Sequence, residues 1–258
     1  MRQHEITVER RLLDANGNIA EPGFARRALA LYSRADIKAP AHRIKEWDYY
    51  LVNNGRFAVA LTIADNGYMG LDSISFLDFE SGYQQTVSPM CALPMGRRRL
   101  PESSARGDIS VSGRGYSISF FHTPEGRLLT FRMEDFAGSG PIDGRIMLTD
   151  EPQESIVMCT PFKKRAHFYY NQKINCMRAS GRVFARRREY IFEPDTAFAV
   201  LDWGRGVWPY KNTWYWGSAS GKLDGVRFSS SMSILSERTA SRSTSLPSST
   251  PAMPYCMP

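Results

Sequence analysis

Short runs of alternating polar and apolar residues, separated by turn signals, dominate the sequence from Trp47 onward. One such run, Ser73 to Phe79, reads Ser-Ile-Ser-Phe-Leu-Asp-Phe, and Asp65-Asn-Gly67 is typical of the turns between runs. A period of two predicts strands with one buried face, and turns at intervals of roughly 8–12 residues are typical of an antiparallel sandwich or barrel. The sequence therefore predicts an all-β protein, with helix only between Phe24 and Tyr32.

Changes in composition divide the chain into four segments. We expect a lead-in at residues 1–39, a first strand series at 40–152 and a second at 153–228. From Ser229 to Pro258 the residues are mainly Ser, Thr and Pro, with no strand alternation. Such a segment buries too little apolar surface to offset the entropy of ordering it. Residues 229–258 are thus predicted to be a disordered tail, which a frameshift or a truncated gene would produce.

The chain is basic, with 33 Lys and Arg against 26 Asp and Glu and a net charge of +7. This balance favours nucleic acid or anionic lipid as partners. The charge is concentrated in three short runs, Arg97–Arg99, Lys163–Arg165 and Arg186–Arg188, and no nucleic-acid-binding motif accompanies them. We interpret the runs as solvated loops or hairpin tips and expect no nucleic-acid partner.

Several classes of protein lack their signatures in this sequence. The sequence contains no run of about 18 apolar residues, so no membrane span is predicted. The N-terminus has no apolar signal-peptide core, so a cytoplasmic location is expected. P-loop, GxGxxG, GxSxG and HExxH motifs are absent, and we expect no cofactor. The four cysteines, Cys91, Cys159, Cys176 and Cys256, do not have the spacing of metal ligands. We therefore predict no metal site and expect the four thiols to be free and buried.

The densest segment lies between Trp203 and Trp216, where four of the five tryptophans and two tyrosines occur. These side chains either plug the end of a barrel or form a pocket with flat apolar walls, suited to a polyene, a ring system or a sugar face. Strand alternation places Trp214 and Trp216 on one face. In the strand-like stretch around Tyr169, it places Tyr169, Asn171, Lys173 and Asn175 opposite Tyr170, Gln172, Ile174 and Cys176.

Asp202 lies in the middle of this apolar stretch, directly before Trp203. A carboxyl group beside indole rings tends to have a raised pKa, which suits a general acid. Alternatively, Asp202 caps a turn or forms an ion pair with Arg205, and the residues alone favour the ion pair. Gly204 and Gly206 predict a bulge or a close backbone approach at this point.

Five segments resemble the bacterial domain-of-unknown-function family 2804, which has no established activity. They are Arg43–Tyr50, Leu61–Asn66, Ser75–Phe79, Phe168–Met177 and Leu201–Gly221. The order of the tyrosine pair, the hairpin, Asp-Trp-Gly and the Trp-rich strand is also similar to the hydroxyneurosporene synthase and AttH-type lipocalin-like group. That resemblance implies two consecutive lipocalin-like β-barrels, the second truncated after residue 228. It also implies a proton-donor role for Asp202, by analogy with the group's carotenoid hydratases.

The sequence thus leads to one main functional hypothesis and two alternatives. We expect binding of an apolar or amphipathic small molecule, a lipid or isoprenoid, in a β-barrel pocket. The first alternative is a cofactor-free hydratase or isomerase in which Asp202 donates the proton, and the second is carbohydrate binding through the tryptophans. The candidate ligand-binding residues are Tyr169, Tyr170, Asn171, Trp203, Arg205, Trp208, Trp214 and Trp216.

Overall fold

The computed structural model describes residues 4–236, and nearly all of its regular structure is β-strand, which confirms the predicted fold class. Two short 3-10 helices, Arg34–Asp36 and Ala41–Arg43, precede the long strands. The strands of the first half are β1 (Arg10–Arg11), β2 (Gly23–Ala25), β3 (Ala30–Leu31), β4 (Ile44–Asn53), β5 (Phe57–Asp65), β6 (Met69–Asp78), β7 (Tyr83–Val87), β8 (Met90–Ala92) and β9 (Ile109–Gly113). Those of the second half are β10 (Tyr116–Thr123), β11 (Gly126–Met133), β12 (Ile142–Thr149), β13 (Ile156–Pro161), β14 (Phe168–Ala185), β15 (Arg188–Phe192), β16 (Phe198–Val207), β17 (Thr213–Leu223) and β18 (Val226–Ser236).

One large antiparallel sheet of 14 strands curls into a half-barrel. Its order is β7-β6-β5-β4-β16-β14-β12-β11-β10-β9, with β8 beside β6, β13 and β15 beside β14, and β2 beside β13. The sheet continues across the predicted boundary between residues 152 and 153, because β14 pairs with β12 and β16 pairs with β4. The division into a first and a second barrel stays a prediction.

The turn between β5 and β6 illustrates why the local sequence gives this pairing. The Asp65 carboxylate accepts a hydrogen bond from the Gly67 N–H at 2.9 Å, closing the turn. Gly67 has φ of +77°, and a β-carbon there would lie 2.5 Å from the carbonyl oxygen of His42. Only glycine fits both conditions, so the Asp-Asn-Gly signal fixes the register of β5 against β6.

The prediction of a helix between Phe24 and Tyr32 is wrong. β2 pairs with β13 and β3 pairs with β1, so the backbone of this segment is used in strand pairing. Ala25 and Ala30 are buried in these positions. A helix of two turns has a costly nucleus and few hydrogen bonds to offset it, so tertiary strand pairing prevails over local propensity.

The strand β18 continues to Ser236, past the boundary predicted at Phe228. Its backbone pairs with β17 along the whole strand, so a Ser-rich sequence is accommodated where a partner strand supplies the hydrogen bonds. The hairpin β17–β18 forms a two-stranded sheet of its own. Residues 237–258 of the predicted tail lie outside the described residues.

The three basic runs lie at turns and loops, as predicted. Arg97–Arg99 follows β8, Lys163–Arg165 lies between β13 and β14, and Arg186–Arg188 lies at the turn into β15. Two of them also form ion pairs with the sheet, through Arg98 with Asp72 and through Arg188 with Asp78. No helix within residues 4–236 is long and apolar enough to cross a bilayer.

Candidate functional site

Two neighbouring strands, β16 and β14, carry most of the predicted site residues, and β4 pairs with β16 on its other edge. Asp202 of β16 lies in register with Tyr49 of β4 and with Lys173 of β14. Because successive side chains of a strand point to opposite faces, Trp203 and Arg205 lie on the other side of the sheet. We call the side of Tyr49, Asp202 and Lys173 the groove face, and the side of Trp203 and Arg205 the core face.

On the core face, the predicted ligand-binding residues are packed against protein groups. Arg205 is fully buried, and its guanidinium lies 4.0 Å from the centre of the Trp203 ring. It donates hydrogen bonds to three main-chain carbonyl oxygens and pairs with Asp48 at 2.9 Å. The Tyr170 ring meets Trp203 edge-on, and its hydroxyl donates to the carbonyl oxygen of Ala30 at 2.7 Å. These contacts bring Tyr170, Trp203 and Arg205 together in the core.

Two carboxylates, those of Glu46 and Asp48, balance the positive charge of Arg205 on this face. Glu46 accepts a hydrogen bond from the Tyr32 hydroxyl at 2.8 Å and pairs with Arg34. Burial raises the pKa of Asp48, while the neighbouring Arg205 opposes that shift. Burial also raises the pKa of Tyr32, which keeps its hydroxyl a donor to Glu46. The result is a closed network of charges inside the half-barrel.

On the groove face, Asp202 pairs with Lys173 rather than with Arg205. Lys173 Nζ lies 2.9 Å from Asp202 Oδ2, and the Asn171 side-chain amide donates to Asp202 Oδ1 at 2.5 Å. The predicted pair with Arg205 is wrong because a spacing of three residues places the two side chains on opposite faces of β16. Burial lowers the pKa of Lys173, and Asp202 opposes that shift.

Aromatic rings surround this ion pair on the groove face. Lys173 Nζ lies 4.8 Å from the centre of the Trp216 ring, and Tyr49 meets Trp216 edge-on with centres 5.7 Å apart. Burial and the nearby Asp202 raise the pKa of Tyr49 to about 12. Trp216 belongs to the β17–β18 hairpin, so this hairpin contacts the Lys173–Asp202 pair. The side chain of Trp214 lies outside the described part of the structure.

A second aromatic cluster occupies another part of the groove face. The centre of the Trp208 ring lies 5.1 Å from that of Trp47 and 6.4 Å from that of Tyr169. The Trp47 and Tyr169 rings are stacked, with their centres 6.1 Å apart. The close approach predicted from the glycines is confirmed, because a β-carbon on Gly204 would overlap the Trp47 ring and one on Gly206 would overlap a carbonyl oxygen. The three described tryptophans of the Trp-rich segment, Trp203, Trp208 and Trp216, therefore belong to separate clusters rather than to one pocket.

The split of the stretch around Tyr169 into two faces is confirmed from Tyr169 through Ile174. It breaks at a bulge between Ile174 and Met177, where the register shifts. Asn175 and Cys176 both form hydrogen bonds to carbonyl oxygens of β18 there. An irregularity of this kind has no signal in the alternation of the sequence.

An open groove of about 590 Å³ runs over β4, β5, β6 and β7 on the groove face. Ala58 and Ala60 form its floor, in register with Leu77 and Leu51. Its lining consists of Tyr49, Leu51, Asn53, Ala58, Ala60, Ser75, Leu77, Phe79, Gln84, Gln85 and Thr86. The groove was not predicted from the sequence. Its signal is the small residues of β5 at alternate positions, which face larger residues of β4. Tyr49 belongs both to this lining and to the cluster around Asp202.

Within residues 4–236, no group of three or more His, Cys, Asp and Glu side chains is arranged to hold a metal ion. Cys159 is free and buried and Cys176 is buried, whereas Cys91 is free and exposed, contrary to the prediction of a buried thiol. Cys91 lies on β8 beside Arg98, whose guanidinium donates to its sulfur at 3.2 Å. Cys256 lies outside the described residues.

Comparison with known families gives a match to the domain of unknown function DUF2804 over residues 3–242. The chain belongs to this family. The predicted family is thereby confirmed, and the match extends past Phe228, where the Ser/Thr/Pro-rich segment begins. No curated protein matches the chain.

Two solved structures are similar to this DUF2804 protein at low sequence identity. One is a protein of Nitrosomonas europaea described as an AttH candidate, with a TM-score of 0.43, 12% identity and coverage of 75% of this chain and 68% of that chain. The other is kievitone hydratase of Nectria haematococca, with a TM-score of 0.37, 9% identity and coverage of 88% and 73%. With both TM-scores below 0.5, neither likeness transfers an activity to this chain.

Proposed function

We propose that this DUF2804 protein binds an apolar or amphipathic small molecule, such as a lipid or isoprenoid, in the groove over β4 to β7. The observation that carries the proposal is the open groove of about 590 Å³, with an apolar floor and a polar side. Sites for small molecules typically have volumes of about 300–1,000 Å³ and combine apolar walls with a few polar groups.

The shape of the groove follows from side-chain size on one face of the sheet. Ala58 and Ala60 leave space that larger residues at the same positions would fill, and Leu51 and Leu77 border that space. Phe79 is half exposed at one end, and Tyr49 closes the other. An apolar ligand lying on this floor would remove exposed leucine and phenylalanine surface from water, which favours binding.

The contacts of Asp202 weigh against the hydratase alternative. Both carboxyl oxygens of Asp202 already have protein partners: Lys173 Nζ lies 2.9 Å from Oδ2, and the Asn171 amide donates to Oδ1 at 2.5 Å. A proton donor must reach the reacting atom of its substrate, and here neighbouring side chains hold both oxygens. Asp202 is therefore better suited to holding Lys173 and the neighbouring rings in place. Carbohydrate binding through the tryptophans and a cytoplasmic location remain predictions from the sequence.

The proposal is tested by titrating the purified protein with two fluorescent amphiphiles, 1-pyrenebutanol and 1-pyrenebutyrate. The Ala60→Phe substitution fills the floor of the groove, and Ser110→Phe adds the same ring to the exposed strand β9 as a control. We expect saturable binding of at least one probe, weakened about tenfold by Ala60→Phe and unchanged by Ser110→Phe. Absence of binding by both probes, or equal binding by the Ala60→Phe variant, would contradict the proposal.

A further inference from the structure

The lining of the groove contains no formally charged residue, although the chain as a whole carries a net charge of +7. Its polar side chains are the amides of Asn53 and Gln84 and the hydroxyls of Tyr49, Ser75 and Thr86. The Ser75 and Thr86 hydroxyls lie 2.8 Å apart and share a hydrogen bond across β6 and β7. The polar side of the groove thus offers dipoles and no net charge.

The charged groups at the two ends of the groove are already paired. Near Tyr49, Lys173 is held by Asp202 at 2.9 Å. Near Phe79, the Arg56 guanidinium forms two hydrogen bonds with the Glu80 carboxylate, at 2.7 and 3.2 Å. The Phe79 N–H donates to the Arg56 carbonyl oxygen at 2.9 Å, which places this pair beside the Phe79 end. A charged ligand would have to compete with these partners for either cation.

Ionised and neutral ligands differ sharply in what they need from such a surface. A carboxylate that leaves water needs a cation or several N–H donors to offset its desolvation. A hydroxyl or a carbonyl group is satisfied by one or two amide hydrogen bonds, and a side-chain amide can both donate and accept. The groove supplies amides and hydroxyls, so its chemistry matches the second kind of ligand.

We propose that the groove selects uncharged amphiphiles, with a hydroxyl or ester group on an apolar body, over the corresponding carboxylate anions. This inference rests on the proposed function and names the ligand class for the same groove. The apolar body lies on Ala58, Ala60 and Leu51, and the polar group lies toward the Gln84 amide and the Thr86 hydroxyl of β7.

The test compares three probes that share one fluorescent ring system: 1-pyrenebutanol, the methyl ester of 1-pyrenebutyric acid, and 1-pyrenebutyrate at about pH 7.5, where the acid is ionised. We expect the alcohol and the ester to bind about tenfold more tightly than the anion. In the Gln84→Lys variant, which adds a cation to the lining, we expect the preference to narrow to about threefold or to reverse. Ser110→Lys, on exposed β9, is the matched control and should leave the ratio unchanged.

The outcomes separate this inference from the proposed function. If the anion binds to the groove as tightly as the alcohol and the ester, and Ala60→Phe weakens all three, then the groove binds ligands and the charge selection is overturned. If none of the three probes binds, the proposed function itself fails, and the selection with it. A ratio that changes equally in Gln84→Lys and Ser110→Lys would assign the preference to the overall charge of the protein and overturn the role of the lining.

Discussion

The two faces of the strands β4, β16 and β14 each hold a buried cation, and they treat it differently. On the core face, Arg205 is surrounded by three carbonyl oxygens, Asp48 and a tryptophan ring. On the groove face, Lys173 has Asp202 and the Trp216 ring, and Asp202 retains some exposure to solvent. The two terminal nitrogens of the Arg205 guanidinium make all of these polar contacts, so fixed protein groups hold the cation in place on the core face. The core face thus carries a buried charge network, and the opposite face carries the groove for which we propose ligand binding.

Replacing Arg205 with Met should produce the largest effect on the core face. The substitution leaves Asp48 buried without its ion-pair partner, whereas Glu46 keeps Arg34, and we expect a cost of about 3–5 kcal/mol in the free energy of unfolding. Urea denaturation measures this loss. Arg132→Met, at an exposed position of β11, is the control and should change stability by less than about 0.5 kcal/mol. A similarly small loss in Arg205→Met would mean that the core network is not structural.

The Gly204→Ala substitution should have the next largest effect. A methyl group there would overlap the Trp47 ring, so the ring must shift or the strands must separate, at a cost of about 1–3 kcal/mol. Ser110→Ala, at an exposed position of β9, is the control and should be nearly neutral. Thermal unfolding of the two variants makes the comparison. Equal melting temperatures would disprove the close approach of Trp47 to β16.

Replacing Asp202 with Asn should have a smaller and pH-dependent effect. The variant keeps the shape but removes the charge that supports Lys173, at a cost of about 1–2 kcal/mol near neutral pH. The pKa of Lys173 is already lowered by burial, and the loss of Asp202 lowers it further.

The sign of the pH dependence follows from proton binding. Between the lowered pKa of folded Lys173 and the ordinary lysine value, the unfolded chain binds more protons, so the free energy of unfolding rises with pH. This pH interval is wider in the Asp202→Asn variant, because the pKa of its folded Lys173 is lower. The loss of unfolding free energy relative to the parent protein should therefore shrink between about pH 7 and pH 10. A deficit that stays constant over this range would show that Lys173 does not depend on Asp202.

The fold class could be predicted because alternation and turn chemistry are local. Ser73 to Phe79 and the turn at Asp65-Asn-Gly67 specify strands and a register through contacts between near neighbours in sequence. The prediction for Phe24 to Tyr32 fails because the strand partner of this segment, β13, lies far along the chain. The Ser-rich strand β18 escapes prediction for a related reason, since pairing with β17 stabilises a sequence of low strand propensity.

The site was only partly predictable. The sequence indicated that Tyr169 and Tyr170 face opposite sides and that Gly204 permits a close approach, and both are confirmed. It could not indicate that Asp202 pairs with Lys173, because that contact depends on the register between β14 and β16. The groove was not predicted, because the empty volume over Ala58 and Ala60 depends on how four strands, β4 to β7, lie beside one another in the sheet.

The most direct test of the groove is a methyl NMR spectrum of protein labelled at alanine methyl groups, recorded with and without 1-pyrenebutanol. Ala58 and Ala199 are both buried alanines of central strands, but Ala58 lies in the groove and Ala199 lies in register with Val52 on the core face. Binding in the groove should produce ring-current shifts at Ala58 and Ala60 and none at Ala199. Saturable binding that shifts Ala199 and leaves Ala58 and Ala60 unmoved would contradict it.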